Sequence, residues 1–260
     1  MNAPQPLRFR EPFPYEIYLP PGSGPHPLVC ITPILGRFLI LEDLHFERRF
    51  ARFFAKHGLA TALIDRPIFE FDPKCGLEQI QEYLEQSLSR NKKVLDSVLL
   101  RKDIDPKRIG SFGMSFGAVV NCLWGASDSR IKTHVLAMAG GNLPEIFMTS
   151  RDPLMKSYMK AVLESKPVFK NTAVDRTNLK EVLKEIFLLE PLNSAHLLPA
   201  QNILLLLAIF DHVVKFRYGM ALRQALGKPK TIFLPLGHYT SILLVPILQW
   251  QVLKFFQKKL

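Results

Sequence analysis

A serine flanked by glycines is the stretch of this sequence whose residue types and spacing most directly indicate chemistry. Gly113-Met114-Ser115-Phe116-Gly117 has the pattern G-x-S-x-G. A serine hydroxyl stands clear of a sheet on a very tight turn between a strand and a helix, and glycines on both sides remove side chains that would collide there. Such a run arises by chance in roughly one chain in ten of this length. The rest of the sequence must therefore show whether this run is a functional motif.

Partners for a reactive serine occur later in the chain. A hydroxyl at its ordinary pKa is a weak nucleophile, so Ser115 needs a histidine that takes its proton and a carboxylate that orients this histidine. Asp211 directly follows the apolar run 203–210, and His238 follows the short apolar run 231–234. The order Ser, Asp, His predicts a catalytic triad of Ser115, Asp211 and His238.

Each of these residues also has a structural interpretation. Ser115 alone is an ordinary helix-start serine, and Asp211 is a possible helix N-cap because Val213 and Val214 lead into a predicted helix. His212 is expected to point elsewhere on the turn. The remaining histidines lack a position after a strand and are predicted to be structural or solvated: His26, His45, His57, His134 and His196. Two acids, Glu70 and Asp72, follow a strand but suit a surface loop better than a pocket mouth.

The elements that position these residues alternate between strands and helices. We predict antiparallel edge strands in residues 1–27, with 15–19 patterned as an exposed strand, and a connection that closes at Asp105-Pro106. The predicted buried strands cover 27–31, 59–64, 131–139 and 203–210, a further strand covers 231–234, and one more strand leads into the serine turn. The predicted helices cover 42–57, 77–101, 118–126, 215–226 and 240–257. Repeated β-α units imply a mostly parallel sheet with helices on both faces. Residues that follow its strands then converge at one edge.

The pattern changes between residues 142 and 199. This segment has no convincing buried strand and contains helical pieces at 152–163 and 177–189, so we predict a helical insertion packed over one edge of the sheet. Its apolar side chains suit either a self-contained core or a lid over an apolar pocket: Phe147, Met148, Met155, Tyr158, Met159, Phe169 and Phe187. The core interpretation is favoured for most of them, because a small helical insertion needs apolar packing.

Composition limits the classes of function. The chain has 260 residues and a net charge of +11, but its basic residues are scattered and no nucleic-acid motif accompanies them, so we expect no nucleic-acid partner. The cysteines, Cys30, Cys75 and Cys122, show no metal-binding spacing. Cys30 and Cys122 lie in apolar runs, which predicts core positions and a reducing compartment. We expect no metal and no organic cofactor.

Targeting signals are also not evident in the sequence. The first residues lack the apolar stretch of a signal peptide. The two most apolar stretches, 203–210 and 242–253, are far shorter than a membrane span. We therefore expect a cytoplasmic protein without stable membrane insertion.

With these motifs the chain resembles the α/β-hydrolase superfamily, and within it the serine esterases related to dienelactone hydrolases and prolyl-oligopeptidase catalytic domains. The resemblance runs from about residue 15 to the C-terminus. It implies an α/β-hydrolase core at 1–141 and 200–260 and a helical cap at 142–199. It also implies an oxyanion hole built from the N–H of Phe116 and an N–H from the loop after the first buried parallel strand.

That loop departs from the His-Gly pattern common in the superfamily. It reads Thr32-Pro33-Ile34 here, and proline has no N–H, so the second donor carried over is Ile34, with Leu35 as a reserve. The sequence thus predicts a serine hydrolase that cleaves a carboxylic ester of a small or medium, apolar acyl group through an acyl-enzyme on Ser115. Two alternatives stay open: a catalytically silent protein of this fold that binds a ligand or partner, and an acyltransferase or thioesterase with the same triad. The oligomeric state stays open as well.

Overall fold

An eight-stranded sheet organises the computed structural model, which describes residues 4–35, 46–67, 72–165 and 176–260. The strand order is β1-β2-β4-β3-β5-β6-β7-β8. The strands are β1 Leu7–Phe9, β2 Tyr15–Tyr18, β3 His26–Thr32, β4 Ala60–Ile64, β5 Ile104–Met114, β6 Thr133–Ala137, β7 Ile203–Ala208 and β8 Lys230–Leu234. The first two are antiparallel to their neighbours, and the pairings from β4 across to β8 are parallel. The predicted mostly parallel sheet is confirmed.

Helices alternate with the strands, as the sequence pattern predicts. They are α1 Phe46–Lys56, α2 Glu78–Val98, α3 Phe116–Ser127, α4 Leu143–Thr149, α5 Pro153–Ser165, α6 Arg176–Ile186, α7 Pro191–Ser194, α8 Phe216–Ala225 and α9 Val245–Lys259. The predicted start of the first helix, at residues 42–45, lies outside the described residues.

Both faces of the sheet are covered, which explains why its central strands are continuous apolar runs. On one face Phe54 of α1 and Phe256 of α9 share a core cluster with Phe112 of β5. On the other face Val94 of α2 and Leu222 of α8 pack in two further clusters. Every residue of β7 is buried, so the strand that precedes Asp211 is held rigidly in the core.

Three predictions about single elements are wrong. Strand β2 is fully buried, because β1 and β4 flank it and its side chains enter the cores of both faces. Asp105-Pro106 does not end the connection, because β5 already begins at Ile104 and 105–108 form an irregularity between the pairings of Ile104 and Ile109 with β3. The last helix begins as a 3₁₀ turn at 240–244 and becomes α-helical at Val245.

The described part of the segment 142–199 is helical and contains no strand. Its buried side chains do not form a separate core. Tyr158 of α5 and Leu183 of α6 belong to the same cluster as Leu84 of α2 and Val120 of α3. The segment is therefore packed against the helices beside the serine turn; Phe169 lies outside the described residues.

The three cysteines fit the predicted pattern. Cys30 and Cys122 are buried and Cys75 is exposed, and all three are free thiols. Burial raises the pKa of Cys30 and of Cys122 to about 12, so both behave as core side chains.

Candidate active site

Ser115 lies on a strained turn between β5 and α3. Its backbone has φ 51° and ψ −122°, a conformation that residues with a side chain rarely adopt. A Cβ at Gly113 would collide with the carbonyl of Gly117, and one at Gly117 would lie 2.5 Å from the carbonyl oxygen of Thr32. The two glycines are therefore needed for the turn, as the motif predicts.

The predicted triad residues lie within hydrogen-bond distance of one another. Oγ of Ser115 is 2.9 Å from Nε2 of His238, and Nδ1 of His238 is 2.7 Å from Oδ2 of Asp211. Since a carboxylate only accepts, Nδ1 carries the proton, and Nε2 of the neutral ring is left to accept from the serine hydroxyl. The His238 and Asp211 side chains are 7% and 2% exposed, so their hydrogen bond is shielded from water.

Strand ends and backbone hydrogen bonds hold this arrangement. The N–H of Ser115 donates to the carbonyl of Ala137 on β6 over 2.7 Å. The loops after β7 and β8 are joined by the hydrogen bond from Phe210 N–H to Leu236 O, at 3.0 Å. These two loops carry Asp211 and His238, so backbone contacts fix the distance between these two residues.

The structural interpretation of Asp211 is correct in part. Its Oδ1 accepts hydrogen bonds of 2.8 Å from the N–H groups of both Val213 and Val214, while Oδ2 faces His238. Helix α8 begins only at Phe216, so Asp211 braces a turn and is not the N-cap of that helix. Both carboxylate oxygens are used, which fixes the direction in which Asp211 presents its charge.

The two predicted oxyanion-hole donors differ in their surroundings. Phe116 is the first residue of α3, where backbone N–H groups have no partner within the helix. The N–H of Ile34 donates to Oε1 of Glu47 in the first turn of α1, over 3.3 Å. The sequence does not predict this contact, since it joins a loop to a helix through tertiary packing. Leu35, the reserve, lines the cavity beside Ser115.

A cavity of about 150 Å³ opens at Ser115. It lies between helices α4 and α5 and the sheet edge and is mostly apolar, with these residues among its lining: Phe46, Phe50, Phe116, Val119, Leu143, Phe147, Leu154, Met155, Val214, Ile242 and Leu248. Ser115, His238, Asp152, Tyr239 and Ser241 are polar members of the lining. The helical segment 142–199 therefore contributes to the wall of the cavity as well as to the core.

Two of the polar residues were not predicted from the sequence. The hydroxyl of Tyr239 donates to Oδ2 of Asp152 over 2.6 Å, and Oδ1 of Asp152 accepts from the N–H of Met155 over 3.1 Å. This pair connects the start of α5 with the His238 loop. The sequence places Tyr239 next to His238 and Asp152 before a helix, but neither position predicts a contact between the two residues.

The other histidines lie away from this site or outside the described residues. Those described are His26, half-buried near the carbonyl of Gly22, His57, bound to the carbonyl of Phe53, His134, buried at Ser111, and the exposed His196 and His212. Burial lowers the pKa of His134 to about 4, so it is neutral at pH 7. Asp72 caps a short 3₁₀ turn through its hydrogen bond from Lys74 N–H. His45 and Glu70 lie outside the described residues.

Within the described ranges, no three His, Cys, Asp or Glu side chains come together in a group that could hold a metal ion. None of the described helices is both long enough and apolar enough to cross a membrane.

Comparison with known proteins agrees with this architecture. No family model matches the chain. It is 32% identical over 104 residues to the esterase FrsA of Enterobacter sp. (strain 638), a match that covers 40% of this chain and only 23% of that protein. Over 99% of its length it superimposes on 68% of 2,6-dihydroxy-pseudo-oxynicotine hydrolase with a TM-score of 0.66 at 17% identity. Over its whole length it superimposes on 42% of the acylaminoacyl peptidase of Pyrococcus horikoshii, with a TM-score of 0.68 at 14% identity. The chain therefore has the α/β-hydrolase fold that its motifs predict, and 104 of its residues are similar in sequence to part of an esterase.

Proposed function

We propose that this protein is a serine hydrolase that cleaves carboxylic esters at Ser115. The observation that carries the proposal is the hydrogen-bonded line from Ser115 through His238 to Asp211, which ends at a strained serine turn and opens into an apolar cavity. The partial likeness to an esterase supports the same chemistry. In this proposal residues 1–141 and 200–260 are the hydrolase core, and 142–199 are a cap that helps to shape the substrate site.

The first half of the reaction forms an acyl-enzyme. Oγ of Ser115 attacks the ester carbonyl carbon while Nε2 of His238 takes the hydroxyl proton, and Asp211 stabilises the imidazolium that results. The carbonyl oxygen becomes an oxyanion, which accepts hydrogen bonds from the N–H of Phe116 and of Ile34. The tetrahedral intermediate then collapses, the bond to the alcohol oxygen breaks, and His238 returns its proton to the leaving alcohol.

The second half hydrolyses the acyl-enzyme. His238 takes a proton from a water molecule, whose oxygen attacks the acyl carbon, and a second oxyanion forms in the same hole. Collapse breaks the bond to Oγ, which recovers the proton from His238, and the carboxylic acid leaves. No metal or organic cofactor enters these steps.

The cavity lining supports the proposal of an apolar acyl group. Side chains from α3, α4 and α5 offer apolar surface next to Ser115, with Phe116, Phe147 and Leu154 among them. Burial of apolar substrate surface contributes about 25 cal/mol per Å² to binding. The proposed substrate is therefore an ester with a small or medium apolar acyl group. Thioester cleavage, or acyl transfer to an acceptor other than water, would use the same residues.

One observation favours a second candidate, a binding protein without catalysis. The Ile34 N–H that the mechanism needs is bonded to Glu47, which places a carboxylate next to the proposed oxyanion position. An oxyanion must displace or share this hydrogen bond. If it cannot, the apolar cavity is a ligand site without turnover.

Labelling with a fluorophosphonate probe tests the proposal. Wild type is expected to be labelled, and Ser115→Ala and His238→Ala are expected to lose labelling. His212→Ala is the matched control, because this exposed histidine follows Asp211 directly but is not in the proposed triad. Labelling that persists in Ser115→Ala overturns the assignment of the nucleophile, and an unlabelled but folded wild type favours the binding protein.

A further inference from the structure

A buried chain of hydrogen bonds lies directly behind the loop that carries Ile34. Nδ2 of Asn91, on α2, donates to Oγ1 of Thr32 over 2.9 Å, and this hydroxyl donates to Oδ1 of Asn121, on α3, over 2.6 Å. The three residues are 2%, 4% and 0% exposed. A threonine hydroxyl has one proton, so accepting from Asn91 directs that proton to Asn121. The chain joins α2, the end of β3 and α3.

Stability of the core does not explain this chain of hydrogen bonds. Asn121 is surrounded in sequence by Val120 and Cys122 on an otherwise apolar helix, and its Nδ2 has no hydrogen-bond partner among the described residues. An apolar side chain at Asn121 would avoid this unpaired buried donor. The Asn121 amide is therefore better explained by its hydrogen bond with Thr32 than by the packing of α3.

The hydroxyl of Thr32 is held at the point where the loop touches the nucleophile helix. The carbonyl oxygens of Thr32 and Pro33 lie so close to Gly117 that a Cβ there would come within 2.5 and 2.6 Å of them. The loop thus contacts α3 through Gly117 and, one turn along the same helix, through Asn121. Two contacts fix both the distance and the tilt of the loop relative to the N–H of Phe116.

We propose that Thr32, Asn91 and Asn121 are positioning residues that set the spacing between the two halves of the oxyanion hole. The inference rests on the proposed function, because it concerns the hole that serves Ser115. Without the hydroxyl of Thr32, the loop loses its contact with Asn121. The N–H of Ile34, the second donor of the hole, is then no longer within hydrogen-bond distance of the developing oxyanion. Only the transition state needs that distance, since the ground-state ester is held by the apolar cavity.

Thr32→Val tests the proposal, because valine keeps the shape of threonine and removes the hydroxyl. We expect kcat for a short-chain ester to fall about 10- to 100-fold, which is at most the effect of losing one whole donor from the oxyanion hole. KM is expected to change less than about twofold. Thr32→Ser restores the hydroxyl and is expected to recover most of kcat. A purely structural role would lower Tm without this split between kcat and KM.

Thr61→Val is the matched control. Thr61 is fully buried on the neighbouring strand β4, and its hydroxyl donates to the carbonyl of Ala51 over 3.2 Å, away from Ser115. It is expected to lower Tm in the same way and to leave kcat unchanged. If Thr61→Val lowers kcat as much as Thr32→Val does, the effect is one of general stability and the proposal is overturned.

Asn91→Ala covers the case in which Thr32→Val does not fold. It removes the outer donor of the chain and is expected to lower kcat by a smaller factor with KM unchanged. A folded Asn91→Ala or Thr32→Val enzyme with wild-type kcat overturns the proposal. Failure of the proposed function itself is distinguished by the wild type, which would then show neither ester hydrolysis nor fluorophosphonate labelling.

Discussion

The backbone N–H of Ile34 donates a hydrogen bond of 3.3 Å to Oε1 of Glu47. Glu47 lies in the first turn of α1, a helix whose Phe50 and Phe54 belong to the core. A carboxylate at this point occupies the donor that the proposed mechanism assigns to the oxyanion. Two anions then compete for one N–H group, and the strength of this competition is measurable.

Replacing Glu47 with alanine is expected to raise kcat. The change frees the N–H of Ile34 and removes a negative charge next to the developing oxyanion, and a hydrogen bond to a charged group of this kind corresponds to roughly a tenfold effect. Ester hydrolysis under saturating substrate measures it. Glu82→Ala, at an exposed position on α2, is the matched control. A lower kcat in Glu47→Ala would mean that Glu47 holds the loop in place, and Leu35 would become the better candidate donor.

Asp211→Asn separates the two tasks of this carboxylate. The amide oxygen can still accept from the N–H groups of Val213 and Val214, but the uncharged side chain no longer selects the reactive tautomer of His238. We expect turnover to fall by about 10⁴-fold with little change in the free energy of unfolding. Asp211→Ala is expected to lose both turnover and stability. Equal losses of stability in the two variants would contradict this division of roles.

Much of the architecture is predictable because it depends on local patterns. Ser115, Asp211 and His238 each follow a strand, and parallel strands bring such positions to one edge of a sheet. Three sets of contacts are not predictable in this way: the hydrogen bond between Ile34 and Glu47, the one between Tyr239 and Asp152, and the buried hydrogen bonds of Thr32. Thr32 and Asn121 are 89 positions apart, and no local pattern pairs them. The burial of strand β2 is not predictable for the same reason, since it depends on the elements that flank this strand.

The hydrogen bond from Tyr239 to Asp152 is expected to hold the start of α5 against the His238 loop. Tyr239→Phe removes it, and the wall of the cavity that α5 provides then loses its connection to the sheet edge. We expect KM for esters that fill the cavity to rise about tenfold, the effect of one hydrogen bond to a charged group. Tyr158→Phe is the control, because this buried cap tyrosine donates to Gln79 instead. The same KM in both variants would show that cap packing alone matters.

The stability of the protein is expected to fall in acid because of His134. Burial against β5 and α3 lowers its pKa from 6.5 to about 4, and its ring contacts the hydroxyl of Ser111 at 3.1 Å. Between these two pH values the unfolded chain binds a proton that the folded chain does not, so the free energy of unfolding decreases as pH falls from 6.5 towards 4. The contribution of His134 is up to about 3 kcal/mol.

Urea unfolding at a series of pH values measures this contribution. His134→Gln keeps a polar group at Ser111 but does not titrate, so its free energy of unfolding should depend less on pH than that of wild type across the window from 6.5 to 4. His57→Gln is the control, because His57 is only half-buried, just after α1, and binds the carbonyl of Phe53. Parallel pH curves for wild type and His134→Gln would show that His134 is protonated equally in both states, which its burial opposes.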